Sequence, residues 1–179
     1  MLSPTWCTCS ACARSSSKTG GPKTKRSPHC CTTPSKIRGK AEAERIRALF
    51  GDVVARIVLG CTDSFVDTAG GEKKLPWIVR KRDYLARLRE EGDDVAFVSA
   101  ADKLDNARAT ERDVAAQGDR LWQIFNAPKA RTIAYYRELI AVYATKAARV
   151  QPIVRELRAI IERIGADVPA DATMESASA

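Results

Sequence analysis

Acidic residues are missing from the first 40 positions of this 179-residue chain, although the same segment holds eight of its 30 lysines and arginines. All 22 aspartates and glutamates lie beyond residue 40, where 22 basic residues balance them. The net charge of +8 therefore belongs to the opening segment, and the rest of the chain is neutral. Because nucleic-acid affinity comes mainly from basic contacts to phosphate, we expect no nucleic-acid partner for the folded part.

Histidine and long apolar runs are scarce, and so is cysteine beyond residue 31. The chain has one histidine, His29, and five of its six cysteines lie in the first 31 residues, which leaves Cys61 alone in the body. This pattern predicts a cytoplasmic, reducing environment without structural disulfides. No apolar run approaches the roughly 20 residues that a membrane-spanning helix needs, so no membrane partner is expected.

The two ends of the chain differ from its middle in composition. In residues 1–39, serine, threonine, cysteine, proline and basic residues dominate, and Leu2 and Ile37 are the only large aliphatic side chains. Such a segment buries too little apolar surface to offset its ordering entropy, so we predict a disordered, basic, cysteine-rich arm. Residues 165–179 are small and polar and are predicted to form a disordered tail.

The middle of the chain, residues 40–164, predicts an all-α domain. Apolar residues recur with helical spacing, no strand pattern is convincing, and glycines and prolines separate the helical stretches. We predict a loop over residues 62–75. Helices are predicted at 41–50, 53–59, 76–91, 95–117, 129–148 and 152–164, with Gly51 as a stop between the first two.

The most apolar of these helices carries a carboxylate in its middle. Asp102 shares a helix face with Val95, Val98, Asn106 and Ala109, which predicts that it points inward. A buried carboxylate is costly unless it is paired, hydrogen-bonded or bound to a cation. Two interpretations stay open on spacing alone: a metal ligand, or a core aspartate satisfied by an arginine such as the one at position 108.

Several segments in a fixed order resemble one family. The stretch Ser99–Arg108 looks like the second metal-binding motif of RelA/SpoT-like HD hydrolases, although position 105 departs from the histidine common there. Agreement extends upstream through residues 50–58, 60–63 and 81–85, and downstream to the pair Tyr135 and Tyr136. The resemblance covers roughly residues 40–164 and implies a partial, truncated HD-type helical bundle.

The resemblance also implies a chemistry. Members of the family hold a divalent metal, usually manganese, with two histidines and two aspartates, and cleave a phosphate ester or pyrophosphate of a nucleotide such as guanosine tetraphosphate. Asp102 matches the last metal ligand, and Asn106 and Tyr135 match positions near the bound nucleotide. The other ligands belong before residue 40, yet the chain has no His-Asp pair. We therefore expect this copy to be inactive.

A change of reading frame accounts for the missing ligands. Three segments read in a shifted frame are compatible with family motifs: residues 6–10 with Val-His-Val-Leu, residues 25–30 with Ala-Ile-Ala-Ala-Leu, and residues 30–38 with Leu-His-Asp-Ala-Ile-Glu-Asp-Gln. A single-base insertion or deletion near Arg38 and Gly39 would produce the observed chain. It would also explain why the cysteines and the net positive charge are concentrated in the opening segment and why acidic residues are missing there.

Three alternatives use the same residues differently. The cysteines with His29 have the ligand chemistry of a zinc-binding arm, although Cys-x-Cys and Cys-Cys spacings do not match common zinc knuckles. The acid-poor opening also has the composition of a transit peptide, which its prolines disfavour. For the body, the alternative is a non-catalytic helical scaffold or binding module. Without a covering helix beside Asp102, we expect self-association through an uncovered apolar face.

Sequencing the coding DNA through the Arg38–Gly39 junction tests the frame hypothesis. We expect the shifted frame to encode the His-Asp motifs upstream of the junction, because three compatible motifs occur there in the family's order. An uninterrupted frame whose shifted reading lacks those motifs would end the hypothesis.

Overall fold

The computed structural model describes residues 39–62 and 75–175, and this part of the chain is all-α, as predicted. No strand occurs within these ranges. Short 3-10 segments follow the third and fourth helices, at Gly118–Ile124 and Ala148–Val150. The five helices are α1 Gly39–Gly60, α2 Trp77–Glu90, α3 Asp93–Gln117, α4 Lys129–Ala144 and α5 Gln151–Ile164.

Helix α1 consists of two helical segments that meet at Gly51. This glycine has φ 81° and ψ 171°, a backbone conformation that residues other than glycine rarely adopt. The predicted stop at Gly51 is therefore confirmed. At the other end, a Cβ on Gly60 would lie 2.6 Å from a methyl of Val95, so the missing side chain lets α1 approach α3 closely.

The hydrophobic core lies where α3 and α4 both pack against α5, with α2 packed on α4. The largest fully buried side chains include Tyr84, Tyr143, Leu139, Leu157 and Ile161. On α5, apolar side chains at helical spacing are buried, and the charged residues between them, among them Arg155, Arg158 and Glu162, are exposed. Within the described ranges, no helix is both long enough and apolar enough to cross a bilayer.

Helix α4 ends four residues earlier than the apolar spacing predicts, at Ala144 rather than Ala148. The backbone N–H of Thr145 donates to the carbonyl of Val142 at 3.2 Å, and its hydroxyl donates to the same oxygen at 2.8 Å. These bonds tighten the last turn and end the helix.

The prediction of a disordered tail from residue 165 is wrong for residues 165–175. Val168 and Met174 are 7% and 1% exposed and belong to the hydrophobic core. The Arg137 guanidinium donates to the carbonyls of Val168, at 3.0 Å, and Pro169, at 2.5 Å. Two buried apolar side chains and the two hydrogen bonds of Arg137 thus hold a segment whose average composition is polar. Residues 1–38 of the predicted arm lie outside the described residues. The same holds for residues 63–74 of the predicted loop.

Large apolar side chains remain exposed on α1 and on the first turns of α3. On α1, Leu49, Phe50 and Val53 are 63%, 63% and 61% exposed. On α3, Phe97 and Val98 are exposed by more than a third. These five residues are called the uncovered apolar face below.

Replacement of Met174 by alanine tests the docking of the C-terminal segment. We expect the free energy of unfolding to fall by about 2–4 kcal/mol, because a fully buried side chain leaves a cavity. Urea unfolding measures the change. Leu49→Ala, at an exposed position, is the control and should change stability by less than about 0.5 kcal/mol. Equal effects of the two substitutions would show that the segment does not dock in solution.

Candidate functional site

Helix α3 turns a line of small residues toward the core, and this line positions the site. Ala96, Ala100 and Ala107 are fully buried, and Ser99 lies among them with no exposed surface. Small side chains let neighbouring helices approach closely. Ser99 is one of only three buried polar residues in the described ranges, and its hydroxyl therefore needs partners within the protein.

Ser99 receives those partners from two other helices. Its Oγ is hydrogen-bonded to Tyr84 Oη on α2 at 2.5 Å and to Tyr143 Oη on α4 at 2.6 Å. Burial raises the pKa of Tyr84, and it raises that of Tyr143 well above the ordinary value. Both phenols are thus protonated at neutral pH, and the chain of three hydroxyls ties α2, α3 and α4 together.

Lys103 lies one turn beyond Ser99 and places a positive charge beside this chain. Its side chain is 16% exposed, and its ammonium lies 5.5 Å from the centre of the Tyr84 ring. Burial by itself lowers the pKa of Lys103, but the negative charges that Tyr135, Tyr84 and Asp102 carry when ionised outweigh it, and the pKa is raised well above its ordinary value. Lys103 is therefore a charged ammonium at neutral pH.

Asp102 is the partner of this ammonium, with Lys103 Nζ 2.6 Å from its Oδ2. The Asp102 side chain is 33% exposed, and Val98, one turn earlier, is 37% exposed. The predicted inward orientation is thus wrong: the small residues of α3 face the core, and Asp102 lies at the edge of that face. Nor is Arg108 its partner, because Arg108 pairs with Glu156 at 2.6 Å.

The two residues that the resemblance associates with nucleotide differ in setting. Asn106 lies one turn after Asp102 on the same side of α3 and is partly exposed. Tyr135 is 4% exposed, with its ring 5.6 Å from that of Trp77 and 5.9 Å from that of Tyr136. The Lys81 ammonium lies 5.0 Å from the centre of the Tyr135 ring. Tyr135 and Asp102 are both electrostatic partners of Lys103, so the three lie in one region.

The described residues do not fit a divalent metal by themselves. No group of three or more histidine, cysteine, aspartate or glutamate side chains gathers within residues 39–62 and 75–175. Asp102 supplies a single carboxylate, which already has an ammonium partner. A metal held only by this carboxylate would lack the ligands that fix its geometry.

Ser99, Lys103 and the two phenols are brought together only by the fold. A serine and a lysine four residues apart in an alanine-rich helix indicate a polar stripe, which is the one local signal. Tyr84 and Tyr143 come from other helices, and no spacing along the chain links them to Ser99.

Replacement of Tyr143 by phenylalanine should lower stability by about 1 kcal/mol at pH 8 through the lost hydrogen bond, and should reduce sensitivity to alkali. The folded pKa of Tyr143 is raised, so its contribution is fully present below its unfolded pKa of about 10 and is lost as the pH rises above that value. Between pH 8 and pH 11 we expect the variant to lose about 1 kcal/mol less than the wild type in urea unfolding.

Ser99→Ala is the matched control for this experiment. It removes both hydrogen bonds but leaves both phenols, so we expect lower stability at pH 8 with the alkaline loss retained. An alkaline loss in Tyr143→Phe as large as that of the wild type would contradict the buried, protonated phenol.

No family model matches the chain, and no curated protein matches it. The resemblance to HD hydrolases rests on the motif residues alone, above all on the segment Ser99–Arg108.

Proposed function

We propose that the helical body is part of an HD-type metal-dependent phosphohydrolase that acts on a nucleotide phosphate ester or pyrophosphate of the guanosine polyphosphate kind. This copy lacks the activity. The observation that carries the proposal is the position of Asp102, a partly exposed carboxylate at the edge of the core-facing side of α3. A carboxylate at an edge can be reached by a cation that further ligands also hold.

The uncovered apolar face supports the proposal. Phe97 and Val98 lie on the turn of α3 before Asp102, and α1, which carries Leu49, Phe50 and Val53, packs against α3. An exposed patch of this kind is typical of a surface against which another element packs. A helix with a His-Asp pair, which the frame hypothesis predicts, would bring metal ligands and an apolar cover to the same side.

The charge of Lys103 suits phosphate chemistry without completing it. A buried ammonium attracts phosphate oxygens and offsets the charge that develops in phosphoryl transfer. A metal, manganese in the family, would supply a bound water of lowered pKa and polarise the phosphoryl oxygen. One carboxylate cannot hold that ion in a defined geometry. We therefore derive no catalytic step for this chain, and its inactivity follows from the ligand set.

The second candidate function is that of a non-catalytic helical scaffold or binding module. The ion pair of Asp102 with Lys103 favours it, because a satisfied carboxylate needs no metal. The buried ring of Tyr135 favours it as well, since a side chain that is 4% exposed packs as a core residue. On this view, the uncovered apolar face binds a second copy of the chain.

Expression from coding DNA corrected by one base near the Arg38–Gly39 junction tests the primary proposal. With manganese, we expect the corrected chain to release phosphate or pyrophosphate from guanosine tetraphosphate, and the present chain to give no release above the blank. In the corrected chain, Asp102→Ala should lower the rate at least about 100-fold, because it removes a metal ligand. Asp105→Ala, on the same helix, is the matched control and should stay within a few fold.

An inactive corrected chain that is well folded would contradict the hydrolase proposal. Turnover by the present chain that disappears in Asp102→Ala would contradict its inactivity. Light scattering on the same preparations tests the scaffold, for which we expect the present chain to associate and the corrected chain to be a monomer. A monomeric present chain with a high melting temperature would count against an uncovered interface.

A further inference from the structure

A cavity of about 540 Å³ that is largely open to solvent lies between α1 and α2, and its lining includes none of the residues Asp102, Asn106 and Tyr135. This volume is within the range of small-molecule sites, roughly 300–1,000 Å³. Three arginines line the cavity: Arg47 and Arg56 from α1, and Arg87 from α2. The lining thus brings together cationic side chains from two helices.

Arg87 is held in a defined position at the wall of the cavity. Its Nη2 donates to the carbonyl of Thr62 at 2.9 Å, and its guanidinium carbon lies 5.9 Å from the centre of the Tyr84 ring. A guanidinium fixed by a backbone oxygen and an aromatic ring loses little entropy when it binds an anion. Arg87 therefore has the properties of an anchor.

Arg56 is held loosely by comparison. Its nearest carboxylate is Asp94 at 3.8 Å, and its side chain is 60% exposed. Asp94 has a closer partner in Arg149, whose hydrogen bond holds the pKa of Asp94 below its usual range. Arg56 can therefore turn toward a ligand in the cavity without leaving Asp94 unpaired.

Two carboxylates, Asp52 and Glu91, share the lining with the three arginines. Asp52 lies 3.0 Å from Arg47, so its charge is compensated within the protein. The excess charge of the lining is positive. Val53 and Leu59 add an apolar wall on the side of α1.

We propose that this cavity binds a small organic phosphate, with the phosphate between Arg56 and Arg87 and the apolar part of the ligand against Val53 and Leu59. Guanidinium groups donate pairs of N–H bonds that match phosphate oxygens, and such charge-assisted bonds are among the strongest hydrogen bonds in proteins. The adjacent apolar wall selects a phosphate with a hydrophobic substituent over the bare anion. This site shares Val53 with the uncovered apolar face but includes none of the residues Asp102, Asn106 and Tyr135.

Titration of the full chain with phenyl phosphate tests the site, because this probe joins one phosphate to one apolar ring. We expect backbone amide signals of α1 and α2 to shift on binding, and inorganic phosphate to bind several-fold more weakly. Arg56→Gln should weaken phenyl phosphate binding about tenfold, the effect of one lost charge-assisted hydrogen bond.

Arg45→Gln is the matched control, because Arg45 is an exposed arginine on the same helix that does not line the cavity. It should leave the affinity unchanged. Val53→Ser should weaken the binding of phenyl phosphate but not that of inorganic phosphate. If Arg56→Gln and Arg45→Gln lowered the affinity for phenyl phosphate equally, the binding would depend only on general surface charge. That result would overturn the site. Equal affinity for the two probes, or shifts confined to residues of α4 and α5, would overturn it as well.

Discussion

The hydroxyl of Ser99 joins three of the described helices, α2, α3 and α4. It has no exposed surface, and it bonds two phenols that come from the helices before and after its own. A buried hydroxyl without partners costs free energy, so the three groups require one another. Only an arrangement that brings α2, α3 and α4 together at this level satisfies all three. The polar chain thereby specifies how the surrounding apolar residues pack.

Lys103 extends this constraint from the core to the surface. Its ammonium lies between buried phenols on one side and the partly exposed Asp102 on the other. The ion pair lets α3 carry a carboxylate beside an apolar core without a large desolvation penalty. The same pair places a positive and a negative charge next to the uncovered apolar face. One turn of α3 therefore carries both the Lys103 ammonium beside the buried phenols and the partly exposed carboxylate of Asp102.

The sequence predicts the elements of this fold better than it predicts the site. Helix positions follow from apolar spacing and from glycines such as Gly51, because both act locally. The C-terminal segment was misjudged because Val168 and Met174 are too few to alter its composition, yet each occupies a place in the core. The orientation of Asp102 was misjudged because the inward side of α3 is defined by alanines, which an apolar pattern weighs little. The bonds of Ser99 depend on distant residues, and local patterns do not register them.

The ammonium of Lys103 determines how the charge of Asp102 is balanced. When an acidic residue depends on a bound ion, removal of the ion lowers the stability of the fold as well as the activity. Here the counterion is covalently part of the polypeptide. The charge balance of this turn of α3 therefore does not depend on a bound ion.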